Sequence, residues 1–281
     1  MRSLALLLLA VAVAVAALGT SAQAASIEWL KTDLQEGGYA VGRIAPGGSV
    51  VFDGRAVPIA PDGRFVIGFH RDSPEEVQVR TTGPDGRVSE ETLSLAQRDY
   101  EIQRIDGLPE NKVTPPEDLL QRIRDEAAAV RAARARESLE AGFDSGWIWP
   151  TKGRITGVFG SQRVLNGKLR QPHYGIDIAA PVGTPVLAPA DGVVSFAHPD
   201  LYYSGATLMI DHGLGLASTF LHLERITVAE GERVRQGQQI ATVGSSGRST
   251  GPHLDWRINW FEARLDAGLF VPPMDAASDG Q

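Results

Sequence analysis

Turn signals cut this chain into short runs that suit strands better than helices. In the first third, Pro46-Gly47-Gly48, Asp53-Gly54, Pro61-Asp62-Gly63 and Pro84-Asp85-Gly86 separate alternating apolar and polar runs at 39–44, 49–52, 64–69, 76–81, 89–95 and 100–105. Asp-Gly between alternating runs is a strong hairpin signal, because the tight turn needs positive φ at both central residues. About six short strands in this length predict a small β-sandwich of immunoglobulin-like size over residues 25–108.

The pattern changes over residues 109–142. Pro109, Pro115 and Pro116 punctuate a linker, and Pro116-Glu117-Asp118 then opens a helix, with proline at the first helical position and acids in the first turn. Leu119, Leu120, Ile123, Ala127 and Val130 recur at helical spacing, so one face is expected to pack on a neighbouring domain. Gly142 is read as the helix end.

Residues 143–275 return to β-structure, with strands expected near 155–159, 174–179, 185–188, 192–197, 206–211, 217–223, 239–243 and 254–260, and residues 276–281 form a tail. The segments GTPVLAPADGVV and GERVRQGQQIATVG echo each other in the manner of lipoyl and biotinyl carrier hairpins, but neither has a lysine in a carrier-type turn. The fold class is therefore mainly β: a small N-terminal β-sandwich, a helical linker and a C-terminal β-sheet core.

Residues 1–24 read as a secretory signal peptide. Arg2 supplies the positive end, residues 4–18 the apolar core and Ala22-Gln23-Ala24 the cleavage site. The apolar run is short of the ~20 residues a span requires, and no later segment is long and apolar enough, so the processed chain is not expected to span a membrane. The absence of cysteine removes disulfides, thiolate ligands and thiol nucleophiles, while a formal net charge of −7 argues against nucleic acid as a partner.

Five positions carry the chemistry: His173 and Asp177 in PHYGID, His222 in TFLHL, and His253 and Asp255 in GPHLDW. On a strand, residues two or four apart face the same way. His173 with Asp177, and His253 with Asp255, would then present paired imidazole and carboxylate groups from separate strands, as a metal site with an open position needs. Either pair alone would more readily be a satisfied polar contact on a β-surface.

The context is more specific. WPTKGRITGVFGSQ, HYGIDIAAPVGTPVLAPADGVV, MIDHGLGLASTFLHL and VRQGQQIATVGSSGRSTGPHLDW, within about residues 147–260, resemble the lysostaphin-like (LytM-type) zinc metallopeptidases in order, spacing and flanking glycines. The resemblance implies a LytM-like catalytic domain with the duplicated hybrid motif, one Zn²⁺ per chain, and cleavage of peptide bonds in peptidoglycan stems or cross-links. It implies His173 and Asp177 as metal ligands and His222 and His253 as non-ligand catalytic histidines. The third ligand, a histidine in the family pattern, falls on Asp255. A carboxylate there adds negative charge, weakens the ion as a Lewis acid and opens the site to other divalent ions.

The expectation is a periplasmic or secreted cell-envelope metalloendopeptidase acting on peptidoglycan peptides. The alternative is an inactive LytM-like module that binds murein or activates a cell-wall amidase; an envelope regulatory partner is compatible with either. A third reading has the linker or helix covering the cleft. Among other residues, His70, His198 and His212 are expected to be structural or solvated, Asp211 to cap a turn, and Tyr174 to face away from the metal. Trp256, Trp260 and Phe261 are expected to pack, and Arg257 to pair with Asp255 or a substrate carboxylate. The Ser/Gly-rich loop 245–251 is expected to form a cleft rim.

Overall fold

The computed structural model describes residues 26–105 and 117–274. The proposed signal peptide, the Pro-rich linker from 109 to 116 and the tail lie outside the described residues. The N-terminal region holds β1 (Glu28–Thr32), β2 (Tyr39–Arg43), β3 (Ser49–Phe52), β4 (Arg55–Ala56), β5 (Arg64–Gly68), β6 (Glu76–Thr82), β7 (Val88–Ser94) and β8 (Ile102–Ile105). A three-stranded sheet β1-β2-β5 and a four-stranded sheet β4-β3-β6-β7 make up most of it. The Asp-Gly signal gives a two-residue turn: Phe52 pairs with Arg55, and Asp53 and Gly54 have φ of 48° and 70°.

The last of these strands departs from the expected sandwich. β8 pairs in parallel with a strand from the C-terminal half, β10 (Gln162–Leu165). The helix departs as well. A 3₁₀ turn at Glu117–Leu119 leads into α1 (Leu120–Arg134), which ends eight residues before Gly142. Beyond it the backbone is engaged by another hairpin, since Leu214 N–H donates to the Ser138 carbonyl at 2.7 Å. Gly142 instead starts a 3₁₀ turn, Gly142–Ser145, and is needed for close approach, because a Cβ there would lie 2.4 Å from the Asp191 carbonyl oxygen. No residue of α1 is fully buried, and Ala127 is exposed while Glu126 turns inward. Arg122 donates to the Asp200 carbonyl at 2.7 Å, and Glu126 accepts the Tyr202 N–H at 2.8 Å.

The C-terminal half continues with β9 (Arg154–Gly157), β10, β11 (Lys168–Leu169), β12 (Ile176–Ala179), β13 (Pro185–Leu187), β14 (Gly192–Leu201) and β15 (Gly205–Gly213). It ends with β16 (Leu216–Ile226), β17 (Arg233–Val234), β18 (Gln239–Val243), β19 (His253–Trp260) and β20 (Ala263–Leu265). Its main sheet runs β17-β14-β15-β16-β19-β12-β9, with β13, β18 and β20 attached at its sides. On β19 the side chains alternate. Leu254, Trp256 and Ile258 belong to the apolar core with Leu208, Ile210 and Phe220, which leaves His253, Asp255 and Arg257 for the opposite face. The core continues into the N-terminal sheets. Phe52 meets Trp260 edge-on at 5.7 Å, and Tyr39 stacks on Phe270 at 4.0 Å.

Candidate metal centre

Register places the carboxylates. Asp177 on β12 pairs directly with Asp255 on β19, Gly157 on β9 lies opposite Asp177, and Leu221 on β16 lies opposite Asp255. His173 is not on the strand, since β12 begins at Ile176. Its extended lead-in is fixed by the loop at 160–161: His173 N–H donates to the Ser161 carbonyl at 2.7 Å, and its own carbonyl accepts the Gly160 N–H at 2.8 Å. The expected meeting still occurs, with His173 Nε2 3.2 Å from Asp177 Oδ1.

Those two atoms are buried and have no hydrogen-bond partner. Buried polar groups without partners are costly and call for an explanation. Among the described residues, His173, Asp177 and Asp255 form the group of potential ligands whose donor atoms all lie within 4.8 Å of one another. A tetrahedral ion with bonds of about 2.0–2.2 Å sets its donors about 3.4 Å apart. The orphaned pair, the nearby carboxylate and the absence of thiols fit a divalent ion.

Two glycines make room for this cluster. A Cβ on Gly157 would lie 2.3 Å from Asp177 Oδ2, and one on Gly175 would lie 2.2 Å from Asp255 Oδ1. Neither stood out in the sequence, where their only signal was a glycine beside each motif.

Asp255 is 2% exposed and does not stand alone. Arg257, two residues on and facing the same way, donates from Nε to Oδ1 at 2.9 Å and from Nη2 to Oδ2 at 2.5 Å. Burial would raise the Asp255 carboxyl, but the Arg257 guanidinium outweighs it and holds the group at about 2. Of the two partners the sequence left open for Arg257, the structure places Asp255 against it. Two more cations lie nearby: Arg134, at the end of α1, is 3.7 Å from Glu262, and Arg264 on β20 donates to Asn259 at 3.3 Å. Burial, then the charges of Arg134 and Arg257, bring Arg264 down to about 9.

His222 and His253 stand side by side, ring centroids 4.8 Å apart, and His253 Nε2 is 3.8 Å from Asp177 Oδ1. His222 has a φ of 61°, a rare conformation for a non-glycine residue. Its N–H is held by the Ser204 carbonyl and its Nδ1 by the Ser246 carbonyl, both at 2.8 Å. His253 Nδ1 is 2.8 Å from the Gly251 carbonyl. A carbonyl only accepts, so each Nδ1 carries the proton and each Nε2 keeps a free lone pair. Burial pushes His222 below the usual histidine range. The loop 245–251, expected only as a rim, therefore orients both imidazoles, a role its polar composition did not specify.

The remaining histidines behave as structural groups. His212 is fully buried on β15, bridges the Asp191 carbonyl and Ser218 Oγ at 2.7 and 2.9 Å, and is pushed by burial to about 4. His70 and His198 each accept a nearby backbone N–H at 3.1 Å. Asp211 caps the Gly213 N–H at 2.8 Å, and Trp256 packs on Trp149 at 5.8 Å. Tyr174 turns toward His70, 5.9 Å away edge-on.

Residues 171–267 match peptidase family M23. A Pseudomonas aeruginosa protein of known crystal structure, described as peptidase M23, aligns with a TM-score of 0.68 at 30% identity over 85% of this chain and 95% of that one. The chain belongs to peptidase family M23. Among M23-like relatives, the peptidoglycan DD-endopeptidase ShyB of Vibrio cholerae is 38% identical over 129 residues, 44% of this chain and 29% of that protein. The DD-carboxypeptidase/endopeptidase Mpg of Neisseria meningitidis is 48% identical over 105 residues, 37% of this chain and 23% of that protein. The chain thus spans less than a third of the length of these curated relatives. The M23 segment contains all five positions singled out in the sequence, together with Arg257 and Arg264, whereas Gly157 and α1 lie before it. Among the described residues, no helix is long and apolar enough to cross a membrane.

Proposed function

We propose that this chain is a metal-dependent endopeptidase that hydrolyses peptide bonds in peptidoglycan stems or cross-links in the cell envelope. His173, Asp177 and Asp255 hold one divalent ion, zinc by preference, and His222 and His253 act as the catalytic histidines. The observation that carries this reading is that His173 Nε2 and Asp177 Oδ1, buried, 3.2 Å apart and without a hydrogen bond, stand beside the Asp255 carboxylate. When bound, the ion polarises the scissile carbonyl and makes the attacking water more acidic.

The chain's own groups do the rest. With Nδ1 bonded to a backbone carbonyl, each histidine keeps Nε2 as a proton acceptor. Burial keeps His222 neutral near neutral pH, the state that can take a proton from the attacking water. A proton held at Nε2 of either imidazole can then be donated to the developing oxyanion or the leaving amine. The two histidines share the roles of base and oxyanion stabiliser. The export signal read from residues 1–24 places this chemistry in the periplasm or outside the cell. The N-terminal β-sandwich (25–108) and the linker with its helix (109–142) form an accessory region to the catalytic domain (143–275).

The test is metal analysis of the purified mature protein alongside hydrolysis of isolated sacculi. About one divalent ion per chain and release of muropeptides are expected, with both lost in His173→Ala. A metal-free protein that cleaves nothing yet stimulates a cell-wall amidase would overturn the proposal in favour of the activator module.

A further inference from the structure

The ion pair that occupies Asp255 bears on what kind of metal site this is. Arg257 Nε lies 2.9 and 3.2 Å from the two oxygens of Asp255, and Nη2 lies 2.5 Å from Oδ2. Both carboxylate oxygens are thus engaged by one guanidinium from the same strand face. A carboxylate offers about four lone-pair directions, so oxygens bound to arginine retain capacity for a second partner. The Asp255 side chain is 4% exposed and that of Arg257 is 25% exposed, so solvent does little to screen the pair from the donor cluster.

We infer that Arg257 is a charge-balancing residue for the metal centre: it cancels one of the two negative charges around the ion. This rests on the proposed metal site and goes beyond it. The side chain is fixed in orientation, because the planar fork of arginine matches both carboxylate oxygens where a lysine would supply one point charge. With the guanidinium counted, the donor set carries one net negative charge instead of two. The ion is therefore held less tightly than two free carboxylates would hold it, and it retains more of its polarising charge.

Arg134 and Arg264 do not replace this function. Arg134 faces Glu262 and Arg264 faces Asn259, so Arg257 is the guanidinium in contact with Asp255. The cross-strand neighbour of Arg257 on β16 is Thr219, which carries no charge.

A merely structural strut and a charge balancer predict opposite signs for metal retention. Arg257→Met keeps much of the aliphatic volume and removes the charge. The measurement is the chelator concentration that strips half of the zinc from the full-length mature protein, together with hydrolysis of sacculi by the zinc-loaded form. Arg257→Met is expected to need about ten-fold more chelator than the native protein while cleaving about ten-fold more slowly. Arg257→Lys is expected to return both toward native values. A strut would instead give easier stripping along with slower cleavage, and that result, or no change in either quantity, overturns the inference. Native protein that retains no ion would overturn the metal site itself and this inference with it. Native protein that retains its ion, with an Arg257→Met variant that does not hold it tighter, overturns this inference alone.

Discussion

Removing the charge of Asp255 while keeping its shape separates the fold from the metal. Asp255→Asn is nearly isosteric, yet it leaves the Arg257 guanidinium without an anion and turns an amide N–H₂ toward one of its donors. Breaking a buried ion pair by neutralising one partner costs about 3–5 kcal/mol. Arg257 keeps a quarter of its side-chain surface, so the lower end applies, about 3 kcal/mol. In a chain of this size each kcal/mol lowers the melting temperature by about 2–4 °C, giving an expected drop of about 6–12 °C. The assay is thermal unfolding in excess chelator, so that metal binding does not contribute. The double variant Asp255→Asn/Arg257→Met removes both charges and is expected to regain most of the lost stability while still failing to hold an ion as the native protein does. A single variant that loses less than about 1 kcal/mol, or a double variant no more stable than the single, would refute the ion-pair account.

Three further outcomes follow from other parts of the site. Gly175→Ala drives a Cβ to within 2.2 Å of Asp255 Oδ1, so it is expected to lose the ion and about 1–3 kcal/mol of stability by calorimetry. Gly251→Ala, whose Cβ would meet nothing within 4 Å, is the matched control and should change neither. His222→Ala and His253→Ala are each expected to slow sacculus hydrolysis by about 10²–10⁴-fold while the metal content measured by mass spectrometry stays near native; loss of the ion in either would make that histidine a ligand. His212 gives a pH dependence unrelated to catalysis. Its folded pKa of about 4 lies below the ordinary histidine value of about 6.5, so the unfolded chain binds more protons between those values. Stability should therefore be full above about pH 6.5 and fall by about 3 kcal/mol as the pH drops to 4. Denaturant midpoints across that range, native against His212→Gln, should show the slope in the native protein and a flatter curve in the variant.

The sequence revealed the strands where turn chemistry or alternation was strong, and failed where long-range contacts took over. Asp53-Gly54 could be read directly, because positive φ at two successive positions is a local demand. β8 could not be assigned to a sheet, because its partner is β10, some sixty residues further along the chain. The end of α1 differs from the sequence expectation for a related reason. Gly142 looked like a helix terminator, but the backbone at 138–140 had already been claimed by the β15–β16 hairpin, and the glycine was needed for a close approach to Asp191. Very short strands such as β4 and β17 carry too few residues for a periodic signal.

The site shows the same division at finer scale. Even spacing put His253 and Asp255 on one face because a strand enforces it, and cross-strand register set Asp177 beside Asp255, while His173 reached Asp177 from outside the strand, held by loop hydrogen bonds that spacing does not encode. The tautomers of His222 and His253 depend on carbonyls of Ser246 and Gly251, and any residue would offer a carbonyl, so side-chain identity gave no warning. Asp255 is the instructive case. Read alone, a carboxylate in place of an imidazole adds charge to the metal and weakens its chemistry. The compensating group was two residues away on the same strand, just past the motif, and alternation already placed it on the same face. A substitution at a ligand position is therefore best judged together with its i+2 neighbour on the strand: Asp255 with Arg257 presents an oriented donor with most of its excess charge removed, whereas Asp255 without Arg257 would be a buried, unpaired carboxylate facing a second one.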